Sequence, residues 1–187
     1  MTTSRDLREL AVSGLLADGA TDAGSNVFSP RTWATWDNTY PMLLVQTPNE
    51  SGQGWGANGA PAFTVTTSLR VTARAQSAAK TDDAAAADVE EQLEVLREQI
   101  KKALINFPPI MTLIQQYPSF RSTINVSREG QLPIGELVFD LDLEFVQDAC
   151  QFYPSASTPL EGIDVTVAMP EGTVAPAFSI PFEQPIS

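Results

Sequence analysis

GELVFDLDLEFVQD, Gly135 to Asp148, sets Leu137, Phe139, Leu141, Leu143 and Phe145 on every second position and Glu136, Asp140, Asp142, Glu144 and Asp148 near or between them. That is the period of a half-buried β-strand, with one face apolar and the other carboxylate. A second long segment, Phe63 to Ala75, repeats the pattern: Phe63, Val65, Leu69 and Val71 alternate with Thr64, Thr66, Ser68, Arg70, Thr72 and Arg74. The economical arrangement places both strands in one sheet with their apolar faces against a helix. The arginine-bearing and carboxylate-bearing faces then point the other way together. A strand of this length, at roughly 3.3 Å per residue, spans about 40 Å, more than a small core needs, so part of the sheet is expected to protrude.

Working outward, the clearest helix is expected over Asp82 to Phe107, where Val89, Leu93, Leu96, Ile100, Ala103 and Phe107 form one stripe. Asp82 and Asp83 suit its N-terminal end, Lys101 and Lys102 its C-terminal end, and Pro108-Pro109 is expected to stop it. Such a stripe also suits a coiled-coil partner, but it is short for one and the sheet needs a lid. Arg121 to Arg128 predicts a third strand, joined to the Gly135 strand across Glu129 to Ile134. Before these, Thr3 to Ala17 predicts an amphipathic helix through Leu7, Leu10, Ala11 and Leu15, and Thr21 to Tyr40 is irregular and aromatic. Met42 to Thr47 predicts a short buried strand stopped by Pro48. Asn49 to Pro61, NESGQGWGANGAP, is expected to be a glycine-rich loop around Trp55.

The order is helix, strand, strand, helix, strand, strand. It predicts an α+β domain, a mainly antiparallel sheet of about four long strands with two helices on one face. The domain is placed at residues 1–153. A proline-rich C-terminal arm follows at 154–187, where Ile163 to Met169 alternates once more and Phe178, Ile180, Phe182 and Ile186 stand between prolines.

The chain has 187 residues, 43% of them hydrophobic, enough for one packed domain with extensions. Its 11 basic and 23 acidic residues give a net charge of −12, and no Lys or Arg follows Arg128. Such a field repels phosphates and anionic headgroups and argues against sequence-specific DNA reading. No histidine is present, which excludes Ser-His-Asp and Cys-His catalysis and His-ligated metals. The single cysteine, Cys150, allows no internal disulfide and fits a reducing compartment. No apolar run approaches the ~18 residues of a membrane span. The expectation is a chain assembled in the cytoplasm, without catalytic residues, cofactor or metal.

Three constellations have two readings each. Asp140, Asp142 and Glu144 at period two suit Mg²⁺ coordination, or an outer strand face paired with Arg70, Arg74, Arg121 and Arg128. The second is preferred, because a two-metal nuclease normally also has Lys or His near its acids and a basic cleft for its substrate. Gly52 to Gly59 lacks the GK[ST] ending of a phosphate loop and precedes a strand. Trp55 within it is either a tether folded back on the domain or an anchor for a partner. Trp33 and Trp36 read as local packing.

Taken in order, FSPRTWATWDNTYPMLLVQTP (Phe28 to Pro48), FTVTTSLRVTARAQ (Phe63 to Gln76), the acidic-to-basic helix and ELVFDLDLEFVQD resemble the tail terminator proteins of long non-contractile phage tails, the lambda U-like family. The resemblance covers about Ser4 to Pro154 and is strongest at the SPR-x-W-x-x-W turn, Ser29 to Trp36. It implies a structural virion protein of the head-proximal tail end and no catalytic motif. Its homo-hexameric ring would cap the tail tube, end polymerisation and form the head-tail joining surface. Partners would be the tail tube protein and a head-completion or connector protein, with DNA passing through unbound. Another tail-completion or connector ring subunit, or a monomeric ligand-binding α+β domain, remain the alternatives. Interface residues are expected at Trp55, at the Arg70, Arg74, Asp140, Asp142 and Glu144 face, and at Phe178, Ile180 and Phe182 of the arm.

Overall fold

Thr3 and Asp6 fix where the chain first becomes helical. In a computed structural model, which describes residues 1–29, 40–56, 60–78, 84–129, 132–152, 162–166 and 177–181, the Asp6 carboxylate accepts the Thr3 N–H at 3.0 Å while Thr3 Oγ1 accepts the Asp6 N–H at 3.2 Å. This reciprocal box opens helix α1, Ser4–Leu16. Leu7, Ala11, Gly14 and Leu15 are buried, and Leu10 packs only partly against the core.

The stretch read as irregular contains a two-residue strand, Val27–Phe28 (β1). Trp33 and Trp36 lie outside the described residues. Strand β2 runs Met42–Gly54, past the expected stop at Pro48. Against β3, Phe63–Gln76, it pairs Gln46 with Arg70 but Asn49 with Ser68, so one extra residue of β2 bulges out. Pro48 sits in that bulge, a place where a strand tolerates a residue with no N–H. The first part of the expected glycine loop, Asn49–Gly54, is therefore strand: Gly54 pairs with Phe63, and the Trp55 N–H donates to the Ala62 carbonyl at 3.1 Å.

Helix α2 spans Ala84–Leu104 and buries Ala85, Val89, Leu93, Leu96, Ile100 and Leu104. Its stripe ends on Leu104, whereas Ala103 is only partly buried. Asp82 and Asp83 lie outside the described residues. The helix unwinds before the prolines, with Asn106 in the left-handed region at φ 65°. Pro108 and Pro109 instead begin a short helix α3, Pro108–Met111, at positions where a missing N–H costs nothing.

Strands β4, Phe120–Glu129, and β5, Leu132–Gln147, form a hairpin tighter than expected, since Glu129 already pairs with Leu132. The sheet has five strands in the order β1-β2-β3-β5-β4, all neighbours antiparallel except β1 with β2. The protein is α+β. Helices α1 and α2 pack on one face, over Leu43, Val45, Leu69, Val71, Leu137, Phe139, Leu143 and Phe145. Polar residues also stand on this face: Thr67 is fully buried and donates to the Asn49 carbonyl at 3.1 Å, and the buried Gln147 donates to the Thr2 carbonyl at 3.1 Å.

The chain divides into two units, Met1–Phe152 and Tyr153–Ser187. In the second, strands β6, Gly162–Thr166, and β7, Ala177–Pro181, pair antiparallel as a separate two-stranded sheet. The arm thus pairs two of its own segments where single extended runs were expected. Phe178 and Ile180 belong to β7, opposite Val165 and Ile163. Phe182 lies outside the described residues.

Gly135 marks the closest approach of sheet and helix. A Cβ there would stand 2.4 Å from Val89 Cγ1 and 2.6 Å from Leu93 Cδ1, both on α2. Removing a glycine usually stabilises through the unfolded chain by about 0.4–1 kcal/mol, but overpacking costs about 1–3 kcal/mol, so the clash decides the sign. Gly135→Ala is expected to lower the urea midpoint with an unchanged slope; a midpoint at or above the wild-type value would show that α2 is not held against β5 at this position.

Candidate interface on the polar sheet face

The register of β3 against β5 sets Ser68 opposite Asp142, Arg70 opposite Asp140 and Arg74 opposite Glu136. All six side chains leave the sheet on the face away from α1 and α2. Arg70 Nε donates to Asp140 Oδ1 at 2.7 Å and its Nη2 to Oδ2 at 3.0 Å, a two-pronged pair. Arg74 holds Glu136 Oε2 through Nε at 2.8 Å and Nη2 at 2.7 Å. The Arg70 side chain is 39% exposed and Asp140 17%, so the pair is worth about 1 kcal/mol or less after solvent screening. The structure closes within one chain the contacts that the sequence left open between one chain and two.

Asp142 and Glu144 are held differently. Ser68 Oγ donates to Asp142 Oδ1 and Ser119 Oγ to Oδ2, each at 2.6 Å, and Gln116 Nε2 donates to Glu144 Oε1 at 2.7 Å. Ser119 and Gln116 come from the segment before β4, which continues the pairing along β5: the Asp142 N–H donates to the Ser119 carbonyl and the Glu144 N–H to the Gln116 carbonyl. Partial burial pushes the Asp142 carboxyl up, and the hydrogen bonds from Ser119 and Ser68 with the nearby Arg121 charge outweigh that, leaving it below its ordinary range. Sequence reasoning missed these three donors. Ser68 was visible as a strand position in phase with Arg70, whereas nothing in the sequence tied Gln116 or Ser119 to the acids.

Among the described residues no group of three or more His, Cys, Asp or Glu side chains is placed to hold a metal ion, and no helix is long and apolar enough to cross a membrane. The lone Cys150 is free and exposed. Trp55 follows directly on β2, and the structure bears on its tether reading. Its indole N–H donates to Thr64 Oγ1 at 2.8 Å, while the residue as a whole is 61% exposed. The indole is thus bonded to the neighbouring strand while most of the residue stays in solvent. Phe120, 52% exposed at the start of β4, stacks on Phe139 at 6.0 Å between ring centres, with Lys101 Nζ 5.4 Å from its own ring centre.

No family model matches the chain, and no curated protein matches it. Among solved structures it is similar to a chain of the "Virion of native gene transfer agent (GTA) particle", at 10% sequence identity and a TM-score of 0.43, over 75% of this chain and 96% of that one. A likeness of that size carries no functional argument.

A carboxylate whose pKa is lower folded than unfolded adds stability above the unfolded value and loses it as pH falls through the folded one. Replacing both hydroxyls, Ser68→Ala with Ser119→Ala, is therefore expected to destabilise the protein at neutral pH, with the difference from wild type shrinking as the medium is acidified past the carboxylate titration. A loss of equal size at both ends of that range, read from urea unfolding, would show that the serines act by packing and not through Asp142.

Proposed function

We propose that the chain is a structural protein of a phage virion. In this reading it forms a homo-hexameric ring at the head-proximal end of the tail, caps the tube, ends its polymerisation and presents the surface that joins the head. The observation that supports it best is that the segments carrying the resemblance to tail terminators, from Met42 through β3 and α2 to the acidic strand β5, fold in sequence order into one α+β layer. The β2–β3 hairpin adds to it: Asn49–Gly54 are exposed and Trp55 stands at the turn, an anchor suited to being covered by a neighbour. No catalytic role is part of this reading.

The charge fits a conduit. Arg70 and Arg74 offset Asp140 and Glu136, whereas Asp142 and Glu144 are held by hydroxyl and amide donors that leave their charge in place. A wall of that kind gives the phosphate backbone no row of cations to bind, so a passing duplex is not fixed. The two-stranded arm fits a docking element, since an isolated hairpin is marginal in water until it packs on a larger surface.

Mixing the chain with polymerising tube protein from the same genome is expected to stop tube growth and leave a six-fold ring at the tube end in micrographs. Tubes that keep growing, or a ring of another symmetry, would overturn the reading. A chain lacking Thr173–Ser187 is expected to keep the unfolding transition of the main unit and cap tubes less efficiently; full capping by the truncated chain would remove the arm from the assembly.

A further inference from the structure

We infer that copies of this chain join edge to edge, strand β4 of one copy pairing antiparallel with the Asn49–Gly54 half of β2 in the next. Among the described residues both edges lack a strand partner on their outer side. β1 covers only Leu43 and Leu44 of β2, and among the described residues no backbone hydrogen bond is made on the open side of Asn49–Gly54 or of Arg121–Ser127. Proteins that keep such edges solitary place proline, repeated charges or a bulge on them. Here the β4 ladder with β5 runs unbroken from Phe120 to Glu129; on β2 the bulge at Pro48 stands directly before Asn49 and limits the available edge to Asn49–Gly54, which contains neither proline nor lysine.

The occupant follows from direction and charge. β2, β3, β5 and β4 alternate in direction, so β2 and β4 run oppositely, and a second copy brought alongside by a simple rotation presents β2 antiparallel to β4. Identical patches cannot do this; two different patches meeting head to tail generate a ring or a filament. In a chain of net charge −12, most surfaces of two copies repel. The exposed face of α2, with Glu90, Glu91, Glu94 and Glu98, is one such surface. The two edges carry little charge: Arg121 is the one charged residue in 121–127 and Glu50 the one in 49–54. These are opposite in sign. They lie on opposite sheet faces, so they favour the approach of unlike edges over like edges without forming a pair across the joint.

This pairing rests on the reading of the chain as a self-assembling ring subunit, and the test separates the two. Residues facing each other across an antiparallel pair have Cα atoms about 4.5–5.5 Å apart, inside the disulfide range of about 4.4–6.8 Å. In a Cys150→Ser background, Ser51→Cys is combined in turn with Thr123→Cys, Asn125→Cys or Ser127→Cys, all exposed positions on the polar face, and the concentrated protein is oxidised. One combination is expected to give a ladder of linked multimers, with a single linked dimer on mixing the two corresponding single variants and no linkage in either alone. Linkage of a single variant to itself means like edges pair and overturns the inference, as does the absence of any linkage. Closed six-membered rings whose cysteines stay reduced overturn the edge joint and leave the ring standing. Linked ladders that close at another number, or never close, support the edge joint and overturn the hexameric reading.

Discussion

The alignment of β3 with β5, in which Leu69 meets Leu141, is the constraint on which the other features depend. Side chains alternate along a strand, so a slip of one residue would turn Phe139 and Leu143 to the polar face and Asp140 and Asp142 into the core. Burial of these apolar residues against α2 makes that slip costly. The same register delivers Arg70 to Asp140 and Arg74 to Glu136, and it sets Gly135 beside Ala75 where α2 leaves no room for a Cβ. Core and polar face are two results of one alignment.

Alternation made β3 and β5 legible, and the 3-4 spacing made α2 legible, because in each a strong period coincides with deep burial. The parts that were not legible lack such a period. The outer half of β2, NESGQG, has no apolar face, and its place in the sheet is set by backbone bonding to β3 after a bulge that absorbs Pro48. β1 is too short to show any alternation. The β6–β7 pairing depends on contacts between segments separated by prolines, which composition alone cannot register. On the polar face, opposite charges in matching phase foreshadowed the arginine pairs. Gln116 and Ser119 were hidden because they reach the acids from a segment with no strand pattern of its own.

For the proposed assembly, the pairing on the polar face limits which groups can draw copies together. Arg70 and Asp140 are already matched in geometry and charge, so exchanging that partner for the same residue of another copy would break one pair for each pair formed and yield no net attraction. Among the described residues, the groups still available to a neighbour include the backbone edges of β2 and β4 and the solvent-facing sides of Trp55 and Phe120, whose rings are otherwise held by Thr64 and Phe139. A backbone edge gains only when another strand replaces its water hydrogen bonds, and an exposed ring gains when its apolar surface leaves water, whereas exchanging equivalent ion pairs gains nothing. The sheet face thus pairs charges inside one chain in the register that core burial sets, and the proposed contact between copies falls to the strand edges.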